Sequence, residues 1–121
     1  MLKKKILIVD DDKVLLMMLD KCLTAAGYSI GKATNGKDAV LIAKEWNPDL
    51  IILDIMMPEM DGAEAALALR ENATTKKIPK LFLTSLISKD EEKSGKFFMG
   101  EMYIAKPYEK EKLLKEINSI F

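Results

Sequence analysis

Short, continuous apolar runs recur along the chain at Ile6-Leu7-Ile8-Val9, Leu50-Ile51-Ile52-Leu53 and Leu81-Phe82-Leu83, with a shorter one at Tyr103-Ile104-Ala105. Runs of this length without alternation predict strands buried on both faces. Ser29 to Ala33 reads as a further, weaker strand ahead of an Asn35-Gly36 turn. Between the runs the apolar spacing changes to that of helices. Leu15, Met18, Leu19, Cys22 and Ala26 fall at helical spacing, with Gly27 placed to end the segment. Ala39, Val40, Ala43 and Trp46 trace another helix face, stopped by Asn47-Pro48 because proline cannot continue a helix. An Ala/Leu-rich segment from about Ala63 to Glu71 predicts a third helix. Ser88 and Glu91 match a capping box and predict a helix starting near Lys89, interrupted by Gly95. Leu113, Ile117, Ile120 and Phe121 form the inner stripe of a final helix.

Strands alternating with helices argue for an α/β protein whose parallel sheet is covered on both faces. Five strand-helix units fit a flavodoxin-like arrangement with strand order 2-1-3-4-5, an order taken from fold-level analogy. The 121 residues suit a single domain, 1–121, with no output domain expected among them, whether the chain stands alone or is part of a longer regulator.

Composition narrows the chemistry. The chain has 19 basic and 19 acidic residues, so its formal net charge is zero and no electrostatic footprint for nucleic acid shows in the total. It contains no histidine, which removes Ser-His-Asp and Cys-His nucleophiles, histidine-containing zinc sites and any phosphohistidine carrier role. The lone Cys22 excludes an internal disulfide, suits a reducing compartment and is expected to be a buried structural thiol. Ile6 to Val9, after Lys3-Lys4-Lys5, is too short for a signal peptide or a membrane span, which points to a cytoplasmic protein.

The residues that follow the strands carry the functional signal. The first strand runs into Asp10, Asp11 and Asp12, the third into Asp54, the fourth into Thr84 and Ser85, and the fifth into Lys106-Pro107. In a parallel sheet these ends share one edge, and the crevice beside the first and third strands is the switch point where such folds bind ligands. Converging carboxylates repel each other unless a cation or proton intervenes. Mg²⁺ suits such a set, since it takes one or two carboxylates together with water and phosphate oxygens. Asp is also a favoured N-cap, but one cap suffices for the helix after the first strand, and capping leaves Asp54 unexplained. Thr84 and Lys106 add a neutral donor and a fixed positive charge, the minimum equipment for holding a phosphoryl group during transfer to a carboxylate.

The sequence resembles the receiver domain of two-component response regulators over essentially its whole length. The pieces that carry the resemblance are Ile8-Val9-Asp10-Asp11, the segment Leu53-Asp54-Ile55-Met56-Met57-Pro58-Glu59-Met60-Asp61-Gly62, Leu83-Thr84-Ser85, and Tyr103-Ile104-Ala105-Lys106-Pro107-Tyr108. The resemblance implies that Asp54 is the phospho-acceptor and that Asp11, Asp54 and the backbone carbonyl of Met56 ligate Mg²⁺, with Asp10 acting through water. It implies that Lys106 contacts the phosphoryl oxygens, Thr84 moves to bond one of them, Ser85 leaves room for the group, and Tyr103 rotates with the switch. A sensor histidine kinase or phosphotransfer protein would be the donor. A downstream protein would read the face of the last two strand-helix units, with no direct contact to nucleic acid or membrane. Such a protein is not an enzyme beyond catalysing its own phosphoryl transfer and hydrolysis.

Phe97-Phe98-Met99-Gly100-Glu101-Met102 departs from the family pattern, which has small residues before the fifth strand. Core packing accounts for this cluster; if exposed, it would be a partner-binding patch. Two other functions fit parts of the sequence. Asp10 and Asp12 form the strand-end Asp-x-Asp of a Mg²⁺-dependent phosphatase resembling the haloacid dehalogenase group, although Asp54 would then have no role. An unphosphorylated adaptor on the same fold is the other. A flavin-binding module is disfavoured, because three aspartates after the first strand would repel a phosphate.

Overall fold

The computed structural model describes residues 3–54, 62–84, 102–105 and 110–121, with residues 54, 62, 63, 66, 84 and 102–105 described through the backbone. The strands are β1 (Lys5–Val9), β2 (Ser29–Ala33), β3 (Leu50–Asp54), β4 (Lys80–Thr84) and β5 (Met102–Ala105). The helices are α1 (Lys13–Ala25), α2 (Gly36–Trp46), α3 (Gly62–Glu71) and α4 (Lys110–Ile120). All strand pairs are parallel, as the alternating pattern predicts, and the sheet order is β2-β1-β3-β4-β5, the order expected by fold-level analogy. The expected helix near Lys89 and the Phe97–Glu101 cluster lie outside the described residues.

Alternate residues of the central strands feed two cores. Ile6, Ile8, Leu50, Ile52, Leu81 and Leu83 pack with Leu16, Leu19 and Leu23 of α1 and Leu113 and Ile117 of α4. On the other face Leu7, Val9, Ile51, Leu53 and Phe82 pack with Ala39, Val40 and Ala43 of α2 and Ala65 and Leu69 of α3. Burial on both faces is why these strands read as unbroken apolar runs.

Helix ends follow local chemistry. Asp12 caps α1 by accepting from the backbone N–H groups of Val14 and Leu15. At the other end Gly27 takes φ 102°, while the N–H groups of Gly27 and Tyr28 donate to the carbonyls of Thr24 and Leu23. This glycine-terminated double bond closes the helix without a steric penalty. Asn35 caps α2 through Asp38 N–H, and Asn47 ends it in the left-handed conformation just before Pro48.

The structure corrects the phase of α1. Of the stripe Leu15, Met18, Leu19, Cys22 and Ala26, only Leu19 is fully buried; Met18 is 60% exposed and Cys22 is half-buried, so the expectation of a buried thiol fails. Leu16, Leu19 and Leu23 face the sheet instead. Val14 to Leu19 is apolar at every position, so its periodicity permits more than one inner face, and the sheet selects among them. In the last helix Leu113 and Ile117 are buried as expected, but Ile120 is half-buried. Phe121 lies past the helix end, its ring 5.7 Å from that of Tyr28.

The sheet edge at the N-terminal ends of the strands is tied by side chains. Lys5 donates its backbone N–H to Asp49 and its ammonium to the Trp46 carbonyl, joining β1 to the turn between α2 and β3. Lys80, fully buried at the start of β4, donates Nζ to the Ile78 carbonyl at 3.0 Å. Its burial was not legible in the sequence, where a lysine before an apolar run reads as a solvated flank.

Candidate functional site

Register places the acidic positions. Val9 lies between Ala33 and Leu53, and Leu53 pairs with Phe82. One residue further along, Asp10 just past β1 and Asp54 as the last residue of β3 stand at the same edge, roughly 4.8 Å being the usual spacing between such strands. Asp54 pairs with Leu83 and Thr84 with Ala105, so the backbone sets Thr84 one step beyond, on the next strand. β1 sits between β2 and β3, where the chain order of the sheet reverses. The edge beside β1 and β3 is therefore the switch-point crevice.

The three consecutive aspartates have different fates. Asp10 is buried to 2% exposure; its N–H donates to the Ala33 carbonyl, and its Oδ1 accepts the Asp12 N–H at 3.0 Å. Asp11 projects into solvent. Asp12 is exposed but committed, with Oδ1 accepting from Val14 and Leu15 at 3.0 and 3.2 Å. Asp12 is thus the helix cap, and Asp10 and Asp11 are the carboxylates left at the crevice.

These groups fit a hard divalent cation. Asp10 and Asp11 bring oxygen donors to a parallel-sheet edge that also receives Asp54, which the structure describes by its backbone. Among the described residues no cage of three or more His, Cys, Asp or Glu side chains exists. Mg²⁺ takes one or two carboxylates and keeps several waters, a ligand set that carboxylates at such an edge can begin to supply. Met56, Ser85 and Lys106 lie outside the described residues, and Tyr103 is placed by its backbone in β5, opposite Phe82.

A hollow of about 470 Å³ opens along α1, and a second of about 270 Å³ has Lys13, Leu16 and Met17 of α1 and Lys32 and Thr34 of the β2 segment among its lining. The Lys32 ammonium there pairs with Asp20 at 3.0 Å, a contact between α1 and β2 that the sequence pattern does not contain. Only the β1–β2 pairing brings position 34 beside Asp10. None of the described helices is long and apolar enough to cross a membrane.

Comparison with known proteins agrees with this geometry. Residues 6–118 match the response regulator receiver domain model. The chain is 35% identical to Protein PilH of Pseudomonas aeruginosa over 116 residues, covering 96% of each. It spans about half the length of other curated relatives, 47% in the case of a probable transcriptional regulator ycf27 of Pyropia yezoensis. Among solved structures, chemotaxis protein CheY4 of Vibrio cholerae superposes with a TM-score of 0.86 at 33% identity, covering 99% of this chain and 100% of that one. The receiver domain of sensor histidine kinase PA1611 of Pseudomonas aeruginosa, solved with a magnesium ion in its active site cleft, gives a TM-score of 0.84 at 26% identity, with 98% and 97% covered. The chain belongs to the response regulator receiver domain family, the receiver module of two-component signalling.

Proposed function

We propose that this chain is a phosphorylation switch in which Asp54 accepts a phosphoryl group from a histidine kinase or phosphotransfer protein in a Mg²⁺-dependent reaction. The observation that carries the reading is the register that sets Asp54 beside the buried Asp10 at the switch point, with Thr84 on the next strand. Receiver domains interact with histidine kinases and downstream targets, and the family typically binds Mg²⁺.

In the proposed reaction a carboxylate oxygen of Asp54 attacks the phosphorus of a phosphohistidine, the P–N bond breaks, and the histidine nitrogen leaves with the electron pair. Mg²⁺, held by Asp11, Asp54 and the Met56 carbonyl with Asp10 behind a water, would offset the charge gathered at the edge. Lys106 supplies positive charge to the phosphoryl oxygens, and the Thr84 hydroxyl donates to one of them. Ser85 leaves space for the group. The new charge and acceptor oxygens bias two packings of the face built from the last two strand-helix units, with Tyr103 as the reporter.

The dehalogenase-like alternative needs Asp12 as a general acid. Its carboxylate instead holds the first turn of α1, and receiver domains are regulatory phospho-acceptors rather than classical enzymes. Intact mass after incubation with acetyl phosphate tests the proposal. One added phosphoryl group that requires Mg²⁺ and disappears in Asp54→Asn is the expected result. Addition that survives Asp54→Asn refutes the acceptor assignment. Failure with both acetyl phosphate and phosphorylated donor proteins would favour the unphosphorylated adaptor.

A further inference from the structure

The turn from β2 into α2 carries a reactive pair of residues that phosphoryl transfer does not use. Asn35 is the only one of the chain's four asparagines followed by glycine; the others precede Pro48, Ala73 and Ser119. Glycine has no Cβ to shield its backbone nitrogen, so that nitrogen can reach the side-chain amide carbon of the residue before it. Asn35 is half-buried as the cap of α2, and Gly36 is buried as the first residue of the helix.

The cap holds the reacting groups apart. Asn35 Oδ1 accepts the Asp38 N–H at 2.8 Å, and Nδ2 donates to Asp38 Oδ2 at 3.1 Å. The Asn35 carbonyl accepts the Ala39 N–H at 3.1 Å. Closing a five-membered ring between Cγ and the Gly36 nitrogen requires Cβ to turn into line with that nitrogen, and the extended ψ of 166° leaves it out of line. Closure also makes Cγ tetrahedral and swings the Asn35 carbonyl, so these three hydrogen bonds must open first. We propose that Asn35 is a site of spontaneous deamidation gated by opening of the first turn of α2. In the open state the Gly36 nitrogen bonds to Asn35 Cγ, the Cγ–Nδ2 bond breaks, and ammonia leaves carrying the Gly36 proton. Water then opens the imide at either carbonyl, which gives aspartate or a β-linked isoaspartate at position 35. Aspartate keeps the capping oxygen but replaces the Nδ2 donor with a carboxylate oxygen facing Asp38 Oδ2, so like charges meet. Isoaspartate adds a methylene to the main chain between β2 and α2. Either product loosens the first turn of α2, just beyond Ala33, whose carbonyl accepts the Asp10 N–H at 3.2 Å. The inference rests on this turn alone and does not use the phosphoryl-transfer reading.

The test incubates the whole chain at mildly alkaline pH, folded and in urea, and follows the amide-to-acid mass gain at position 35 by peptide mapping. The expected result is conversion at least about tenfold slower in the folded chain than in urea, because only the opened fraction reacts. Asp38 is exposed, so Asp38→Ala keeps the core while removing one of the three restraints. It should speed conversion of the folded chain about two- to tenfold and leave the rate in urea nearly unchanged. Asn35→Asp should abolish the mass gain. Isoaspartate is assigned residue by residue, since Asp61-Gly62 closes the same ring without a mass change. Equal rates in the folded and unfolded chains, a folded rate indifferent to Asp38→Ala, or no conversion at position 35 in urea would each overturn the proposal.

Discussion

Asp12 donates its backbone N–H to Oδ1 of Asp10 at 3.0 Å while its own carboxylate caps α1, so one residue links the helix start to the buried carboxylate at the crevice. Removing the cap strands orphan N–H groups in the first turn. Asp12→Ala should therefore cost about 0.5–2 kcal/mol in urea unfolding, whereas Asp12→Asn, an equally good cap, should stay within a few tenths. Equal losses in the two variants would contradict the capping role.

The phase of α1 makes a sharp contrast between adjacent residues. Leu19 is 3% exposed in the core under the sheet, whereas Met18 is 60% exposed. Leu19→Ala should destabilise by about 2–5 kcal/mol, since it removes buried methyl groups and leaves a cavity. Met18→Ala should fall within about 0.5 kcal/mol of the parent. Denaturant midpoints compared at equal slopes decide it.

Gly31 in β2 faces the ring of Trp46, and an added Cβ would lie 2.9 Å from its Cζ3. That ring is partly buried against the core and lies 5.4 Å from the Lys5 ammonium, so withdrawing it would give up both contacts. Gly31→Ala should cost about 1–3 kcal/mol by overpacking. In a Trp46→Leu background the cost should shrink, and a double-mutant cycle measures the coupling.

Lys32 beside Asp20, with the Thr24 hydroxyl as a second donor, holds the Asp20 carboxyl below its ordinary value. A folded value depressed below the unfolded one gives stability that is present above the unfolded value and lost as pH falls through the folded one. The pair is exposed, 50% at Lys32 and 32% at Asp20, so its contribution is about 0.2–1 kcal/mol. Lys32→Met should raise the Asp20 titration midpoint seen by carboxyl NMR. The stability gap between the two proteins should close on the acid side; a gap constant down to strongly acidic pH would rule the pair out as its source.

Strand positions, sheet class and the residues at the strand ends were legible without coordinates. Doubly buried strands demand unbroken apolar runs, and the polar residues that end them in a parallel sheet all fall on one edge. On that basis Asp10, Asp11 and Asp54 are expected to converge, with Thr84 and Lys106 on the far side, and the pairing of β1, β3 and β4 puts the backbone of Asp10, Asp54 and Thr84 along one edge. Local pattern fell short where several solutions satisfied it. Val14 to Leu19 can turn any side inward, and only packing against the sheet selected Leu16, Leu19 and Leu23 and left Met18 outside. Three successive aspartates look alike along the chain. The burial of Asp10 beneath the Asp12 N–H, and the commitment of Asp12 to the helix cap, came from three-dimensional closure, because hydrogen-bond partners and solvent access depend on neighbours that a linear pattern does not contain.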